Sequence, residues 1–297
     1  IVLPAISPGT DADVVGPELS VTKTEHLIAE PVSLTFTWTN RSKDTTRFST
    51  HSAREYSTIY VSVDGGEFQE FTCPGGIVPR LVPSDVFVTH PMVSLDPGET
   101  YSLTVFVLKA RVDETEQFLL LRPGRYTLRA HKDDQQGVSI EARVPSNEQD
   151  KLAFTHWRDR AASQFPLLPE SIVPDLEPLK DLIAKYPKSV YAQYARLALA
   201  RHLVRRDRSP RKDDSRKEVI GYLQSLVSDH TNPPIVEHAL WLQYSITHAR
   251  EQRRRLIHEL AQVNPRSGFL DILRQSVLGR TELPRTVPSR DGEDEQG

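Results

Sequence analysis

Cys73 is the single thiol of a 297-residue chain, and with His51 or His90 beside it the pair would form a thiolate and imidazole able to act as a nucleophile. It sits in FTCPGG, where one proline and two glycines predict a loop, and a packed or loop cysteine is the plainer reading. Glu237, His238 and His248 share the stretch EHALWLQYSITHA, but the ten positions between the two histidines do not bring them to adjacent helical turns, as a metal pair requires. His131, Asp133 and Asp134 in AHKDDQQG offer oxygens to a calcium ion, yet the remaining ligands of its shell are missing, so a solvated turn is expected. The chain contains no HExxH, GxSxG, GxxxxGK[ST] or GxGxxG. The signatures of zinc hydrolysis, serine hydrolysis and nucleotide binding are therefore absent. One cysteine excludes an internal disulfide and a multi-cysteine zinc or iron-sulfur centre. We expect no catalytic residue, no metal and no cofactor.

Basic side chains are the other candidate. RHLVRRDRSPRKDDSRK (201–217) carries eight Lys and Arg against three Asp, and AREQRRR (249–255) carries four Arg against one Glu. These segments could contact an anionic polymer with salt-sensitive affinity. They contain no aromatic platform for base stacking, which makes nucleic acid an unlikely partner class. The solvated-loop reading, or a dock for an acidic part of the same chain, is preferred. Residues 1–150 carry 13 basic and 21 acidic side chains, a net of −8, and residues 151–297 carry 24 and 19, a net of +5. Either the two halves attract each other or the second meets an anionic partner.

The first half that must position such groups reads as strands. In VSLTFTWT (32–39), Val32, Leu34, Phe36 and Trp38 fall on one face and Ser33, Thr35, Thr37 and Thr39 on the other. TIYVSV (58–63) runs into Asp64-Gly65-Gly66, a hairpin signal, with Phe68 and Phe71 on the returning strand. Residues 18–26, 85–90, 101–108, 118–121, 125–131 and 138–144 supply further short strands, with a turn at Gln135-Gln136-Gly137. No helical period separates them, so an antiparallel sandwich is expected.

Two phrases repeat, LDPGETYSL (95–103) and LRPGRYTL (121–128). Proline fixes one dihedral and glycine accepts positive φ, so each phrase predicts a turn entering a strand, with Gly98, Pro123 and Gly124 as turn residues. Tyr126 is placed as the tyrosine of a tyrosine corner, and Tyr101 repeats the device less closely. A phosphate-cradling loop would need several glycines ahead of a helix, which neither phrase has.

The pattern EPVSLTFTWTNRS, LDPGETYSLTV and LRPGRYTLRA resembles the immunoglobulin-like sandwiches of bacterial exported proteins over residues 18–144. It is also similar to the small sandwich family of BsuPI-type bacterial proteinase inhibitors. That second resemblance implies an inhibitory loop, but no reactive-loop residue can be matched here.

Beyond about residue 147 the period becomes helical. Phe154, Trp157, Ala161 and Phe165 share a stripe, with Ser146 or Asn147 available as N-cap. PLLPESIVPDLEP follows as a proline-punctuated linker. Three helical pairs are predicted, 179–186 with 190–205, 215–229 with 235–247, and 251–263 with 268–278, joined at YPKSVYA, HTNPPIVEHA and VNPRSGFL. KYPKSVYAQYARLALA resembles tetratricopeptide-type repeats, particularly those of bacterial outer-membrane assembly lipoproteins. The likeness covers residues 175–263, with an irregular spacing of 47 residues from Pro187 to Pro234 and 31 from Pro234 to Pro265. It implies a partner-binding concave surface.

These readings predict an extended start (1–17), an antiparallel immunoglobulin-like β-sandwich (18–147), a helix with a Pro-rich linker (148–178), a tetratricopeptide-like α-helical repeat domain (179–280) and an acidic tail (281–297). No stretch of about 18 apolar residues predicts a membrane span. The start at Ile1 rather than Met favours an exported or envelope-associated chain, although a trimmed boundary would look the same. The expected function is non-enzymatic binding or scaffolding of another protein. Tyr194, Arg201, Arg205, Arg206, Trp241 and Tyr244 are candidate contact residues on type and position. A proteinase inhibitor acting through a sandwich loop, or an enzyme with an interdomain site, are the alternatives.

Overall fold

A computed structural model describes residues 14–49, 58–72, 92–112, 115–134, 137–164, 175–206, 213–229 and 232–270. Cys73, His51, His90, Phe165 and the predicted strand 85–90 lie outside the described residues. The strands are β1 (Val14–Val21), β2 (Glu25–Leu27), β3 (Val32–Asn40), β4 (Thr46–Ser49), β5 (Thr58–Val63), β6 (Gln69–Thr72), β7 (Met92–Leu95), β8 (Thr100–Val107), β9 (Lys109–Val112), β10 (Thr115–Phe118), β11 (Gly124–Arg129) and β12 (Val138–Arg143). The helices are α1 (Glu148–His156), α2 (Glu177–Lys185), α3 (Val190–Arg206), α4 (Asp213–Asp229), α5 (Pro233–Ile246) and α6 (Arg250–Val263).

The strands form a three-stranded sheet ordered β1-β3-β8, a seven-stranded sheet ordered β10-β9-β6-β5-β11-β12-β2, and a β4-β7 ribbon. Val32, Leu34, Phe36 and Trp38 of β3 and Tyr101 and Leu103 of β8 share one core with Ile59, Val61, Phe71, Tyr126, Leu128 and Ile140 of the larger sheet. Alternation along β3 thus puts its apolar side against the seven-stranded sheet, as the period-2 pattern predicts. The expected wholly antiparallel arrangement fails at one edge, where β2 runs parallel to β12. Strands β1 and β3 both belong to the smaller sheet, so the three-residue β2 between them is a crossing segment that borrows the edge of β12. The larger sheet is consequently mixed, and it curls into a half-barrel.

The two Pro-Gly phrases differ in geometry although each enters a strand. Gly98 has φ +79°, and the Glu99 N–H donates to the Asp96 carbonyl at 2.9 Å, which makes residues 96–99 a type II turn leading into β8. Gly124 has φ +151°, and the Asp64 carboxylate stands 2.8 Å from where a Cβ would be while accepting from the Arg125 N–H, also at 2.8 Å. Pro123 precedes it, and β11 starts at Gly124. The Tyr126 hydroxyl donates to the Arg122 carbonyl at 2.8 Å and accepts from its N–H at 3.2 Å, the bonding of a tyrosine corner. Tyr101 is buried instead against Trp38, with ring centroids 5.8 Å apart.

The opposite face of the small sheet carries hydroxyls, with Thr35 bonded to Thr104 and Thr37 to Ser102, each at 2.9 Å. Helices cover part of this face. Consecutive helices pack on one another from α2 to α6, and α3 also packs on α5. Asn147 caps α1 by accepting from the Asp150 N–H at 2.7 Å. Asp150 in turn accepts from the Val190 N–H at 2.9 Å, so α1 caps the start of α3. A π-helical turn over Trp157–Ala161 continues α1 and keeps both of those residues buried. Predicted helix limits agree with α2 to α6 within a few residues; of the last predicted helix, residues 268–270 are helical and the remainder lies outside the described residues.

Candidate functional site

Helices α3 and α5 bury most of their residues, and that dictates where they sit. In α3, Tyr191, Ala192, Tyr194, Ala195 and Leu197 to Ala200 are buried; in α5 every residue from Pro234 to Leu242 is buried. Helices buried to that extent need partners on more than one side. On one side lie α2, α4 and α6, and on the other the small sheet and the loop after β2. The helical core accordingly takes in Leu27, Ala29, Phe106, Leu108 and Phe118 from the β part. Among the described residues, the seam is packed contact between sheets and helices.

Polar groups along the seam engage each other. Residues 28–30 are the focus: the Trp157 indole donates to the Ala29 carbonyl at 2.8 Å, the Tyr191 hydroxyl to the Ile28 carbonyl at 2.8 Å, and the Tyr194 hydroxyl to the Glu30 carboxylate at 2.9 Å. Glu30, 1% exposed, also pairs with the Lys23 ammonium and accepts from the Leu27 N–H at 2.7 Å, with His26 Nδ1 3.6 Å away. Burial pushes the Glu30 carboxyl up, but the His26 ring and the Lys23 charge outweigh it and hold it below the usual range. Burial, and next the Glu30 charge, raise the Tyr194 phenol well above its ordinary value.

Further along, His238 Nε2 donates to the Thr104 carbonyl at 3.1 Å, with its ring 5.0 Å from Phe106 and 5.2 Å from Phe269. Burial first, and the Arg201 charge second, push this imidazole down to about 3. It is a neutral packing and bridging residue. Glu237 beside it accepts from Ser267 and, at 3.0 Å, from Asn264. Its carboxyl is raised by burial. Gly268 follows, and a Cβ there would stand 2.4 Å from the Ser102 carbonyl. Ser267 forms a parallel bridge to Ser102, so the chain after α6 closes on the free edge of β8.

The sequence candidates fall as follows. Tyr194 is in the seam, and Trp241 and Tyr244 pack in the last helical core, where Trp241 stacks on Phe269 at 4.8 Å. None of the three faces solvent, because α3 and α5 are the covered helices of the layer. Arg201 is partly buried near His238, and the side chains of Arg205 and Arg206 lie outside the described residues. Asp134 accepts from the His131 N–H at 2.8 Å, which closes the turn on itself. Among the described residues, no group of three or more His, Cys, Asp and Glu is disposed to hold a metal, and no helix is long and apolar enough to cross a membrane. Sequence reasoning missed Glu30 and Lys23. Their one visible signal is an acid, Glu30, separated by Pro31 alone from the strand VSLTFTW.

No known protein family matches the chain, and no characterised protein matches it in sequence. Among solved structures, a β-glucosidase from Listeria innocua in complex with glucose aligns with 43% of this chain and 16% of its own, at 12% identity and a TM-score of 0.25. The β-glucosidase from Listeria innocua in complex with gluconolactone aligns over 43% and 15%, at 12% identity and a TM-score of 0.24. The matched region is a small part of those chains, and a likeness at that level bears on neither fold nor activity.

Proposed function

We propose that this chain is a non-enzymatic binding or scaffold module of a bacterial exported or envelope protein, in which an immunoglobulin-like β part and a tetratricopeptide-like helical layer act as one body. The tyrosine corner at Tyr126 and the antiparallel pairing of most strands support the first part of that description. Successive packing of α2 to α6 supports the second. The observation that carries the functional reading is the use made of the reactive side chains among the described residues: Glu30, Tyr194 and His238 join helices to sheets, Lys23 and His26 surround Glu30, and Glu237 holds Asn264 and Ser267.

Recognition then falls to the outer helices. The side of the helical layer facing the small sheet is occupied by the chain itself, whereas α2, α4 and α6 present polar residues outward, among them Lys185, Lys217, Gln224, Arg254 and His258. The test is capture from envelope and soluble extracts on the intact chain, followed by cross-linking through surface lysines and mass spectrometry. A retained protein cross-linked to Lys185 or Lys217 is expected. An intact chain that retains no protein from either extract overturns the reading.

A further inference from the structure

We propose that residues 264–270 are a strap that opens from and closes on the outer edge of β8, with the Glu237 side chain as its latch. The device stands whether or not the chain binds a partner. Strand β8 is the last of the small sheet, so its outer edge carries backbone donors and acceptors that need covering. Asn264 ends α6 by donating its N–H to the Leu260 carbonyl at 2.9 Å, and the Ser267 N–H returns to the Asn264 carbonyl at 3.0 Å. From that turn Ser267 bridges to Ser102, while Phe269 and Leu270 enter the last helical core. Gly268 lets the strap sit this close, since a side chain there would run into the Ser102 carbonyl and the Tyr101 ring. Among the described residues, an isolated bridge, two apolar side chains and the latch attach the strap, so it can lift while β8 stays paired with β3.

Both oxygens of the Glu237 carboxyl accept from the strap, Oε1 from the Ser267 hydroxyl and Oε2 from the Asn264 amide, the latter at 3.0 Å. The charged and titratable groups around it are engaged elsewhere. His238 turns to the Thr104 carbonyl, Arg201 of α3 bears on His238, Arg253 of α6 is bonded to the Thr247 carbonyl, Arg266 of the strap is exposed, and Tyr101 of β8 lies under Gly268. Phe269 also covers the Trp241 ring, centroids 4.8 Å apart, and the buried indole N–H of Trp241 finds no acceptor among the described residues. Two polar groups are thus poorly served while the strap is seated, and lifting it admits water to both. Protonated, the Glu237 carboxyl has no charge to desolvate and the strap seats well; ionised, it favours the open form. Burial holds this carboxyl above its ordinary 4.5, so closure is strongest below that pH and is lost as pH rises through the folded value.

The test is hydrogen exchange of the full chain, read by mass spectrometry from about pH 5 to about pH 9 and corrected for the chemical rate. Segments 264–270 and 100–107 are expected to exchange faster as pH rises, by up to about tenfold per pH unit, while β11 in the larger sheet stays flat. Glu237→Gln keeps acceptor and donor atoms for the strap and carries no charge, so both segments should exchange slowly across the whole range. Gly268→Ala, which cannot seat the strap, should expose the same two segments at every pH. Exchange of the strap that does not change with pH, the same pH dependence in Glu237→Gln, or a rise shared equally by β11 in the native chain or in Gly268→Ala each overturns the proposal.

Discussion

The Tyr194 hydroxyl meets the Glu30 carboxylate at 2.9 Å across the boundary between helices and sheets, in a site closed to solvent on the Glu30 side. A buried carboxylate is tolerable only while its partners remain, and here they come from both parts of the chain.

Glu30→Gln weakens the bonds from Leu27 and Tyr194 and takes the counter-ion from Lys23, whose ammonium is partly exposed and can turn to water, so a loss of about 1–3 kcal/mol is expected. Tyr194→Phe removes one bond to a charged acceptor and should cost about 1.5–3 kcal/mol. Urea unfolding of both variants measures this, and a Glu30→Gln midpoint equal to that of the native chain would refute it. The folded carboxyl lies below its unfolded value near 4.5, so its contribution is present above that pH and is lost as pH falls through the lower folded value. The difference between native and Glu30→Gln should therefore shrink below pH 4.5.

His238 gives a second pH dependence with a higher onset. Its folded value near 3 lies below the 6.5 of the unfolded chain, so the neutral ring favours folding above 6.5, and that advantage is lost as the unfolded state takes up a proton below it. The full effect is on the order of 5 kcal/mol across the window. Arg201 and the Thr104 carbonyl are the groups acting on the ring besides burial. Glu237, raised by burial, acts in the opposite sense, because its stabilising protonated form is lost as pH rises through the folded value. Comparison of native chain with His238→Gln isolates the histidine: acid unfolding from pH 6.5 downward should be shallower in the variant, and identical slopes would contradict the assignment.

Two glycines should respond to alanine with opposite signs. Gly268→Ala places a methyl group 2.4 Å from the Ser102 carbonyl and 3.2 Å from the Tyr101 ring, where the backbone of β8 cannot give way, and about 1–3 kcal/mol should be lost. Gly221, exposed within α4, has nothing within 4 Å of a new Cβ, so alanine should raise stability by up to about 1 kcal/mol. Thermal unfolding of both variants is the check, and a destabilised Gly221→Ala would break the argument.

Much of the architecture is legible in local pattern. Alternation in 32–39 gives β3 its inward face, Asp64-Gly65 turns β5 back onto β6, and the Pro-punctuated joints give the helix order. The seam is not legible, because Glu30 and Tyr194 are 164 positions apart and nothing local links them. Burial of the supposed contact residues was signalled more directly. In PIVEHALWLQY the apolar residues far outnumber Glu237, His238 and Gln243 and are not confined to one stripe, which marks a helix that is mostly covered, so Trp241 and Tyr244 belong to a core. The parallel pairing of β2 has no local signal either, since three residues set neither direction nor partner.

Opposite net charges on the two halves suggest that salt would loosen them, but the contacts at the seam imply otherwise. Trp157 to Ala29, Tyr191 to Ile28 and His238 to Thr104 are short-range bonds to buried carbonyls, with Phe106 packed against Tyr194 and His238. Raising salt from about 0.1 M to 1 M shortens the screening length from about 10 Å to 3 Å, which weakens attraction between exposed charges and leaves excluded-water contacts nearly untouched. Small-angle scattering of the intact chain should therefore give the same radius of gyration at both salts. Expansion at 1 M with unchanged circular dichroism would mean that surface charge, and not the seam, holds helices to sheets. Trp157→Phe, which removes the bond to Ala29 and keeps most of the ring, should by contrast destabilise the chain equally at both salts, by about 1 kcal/mol or more.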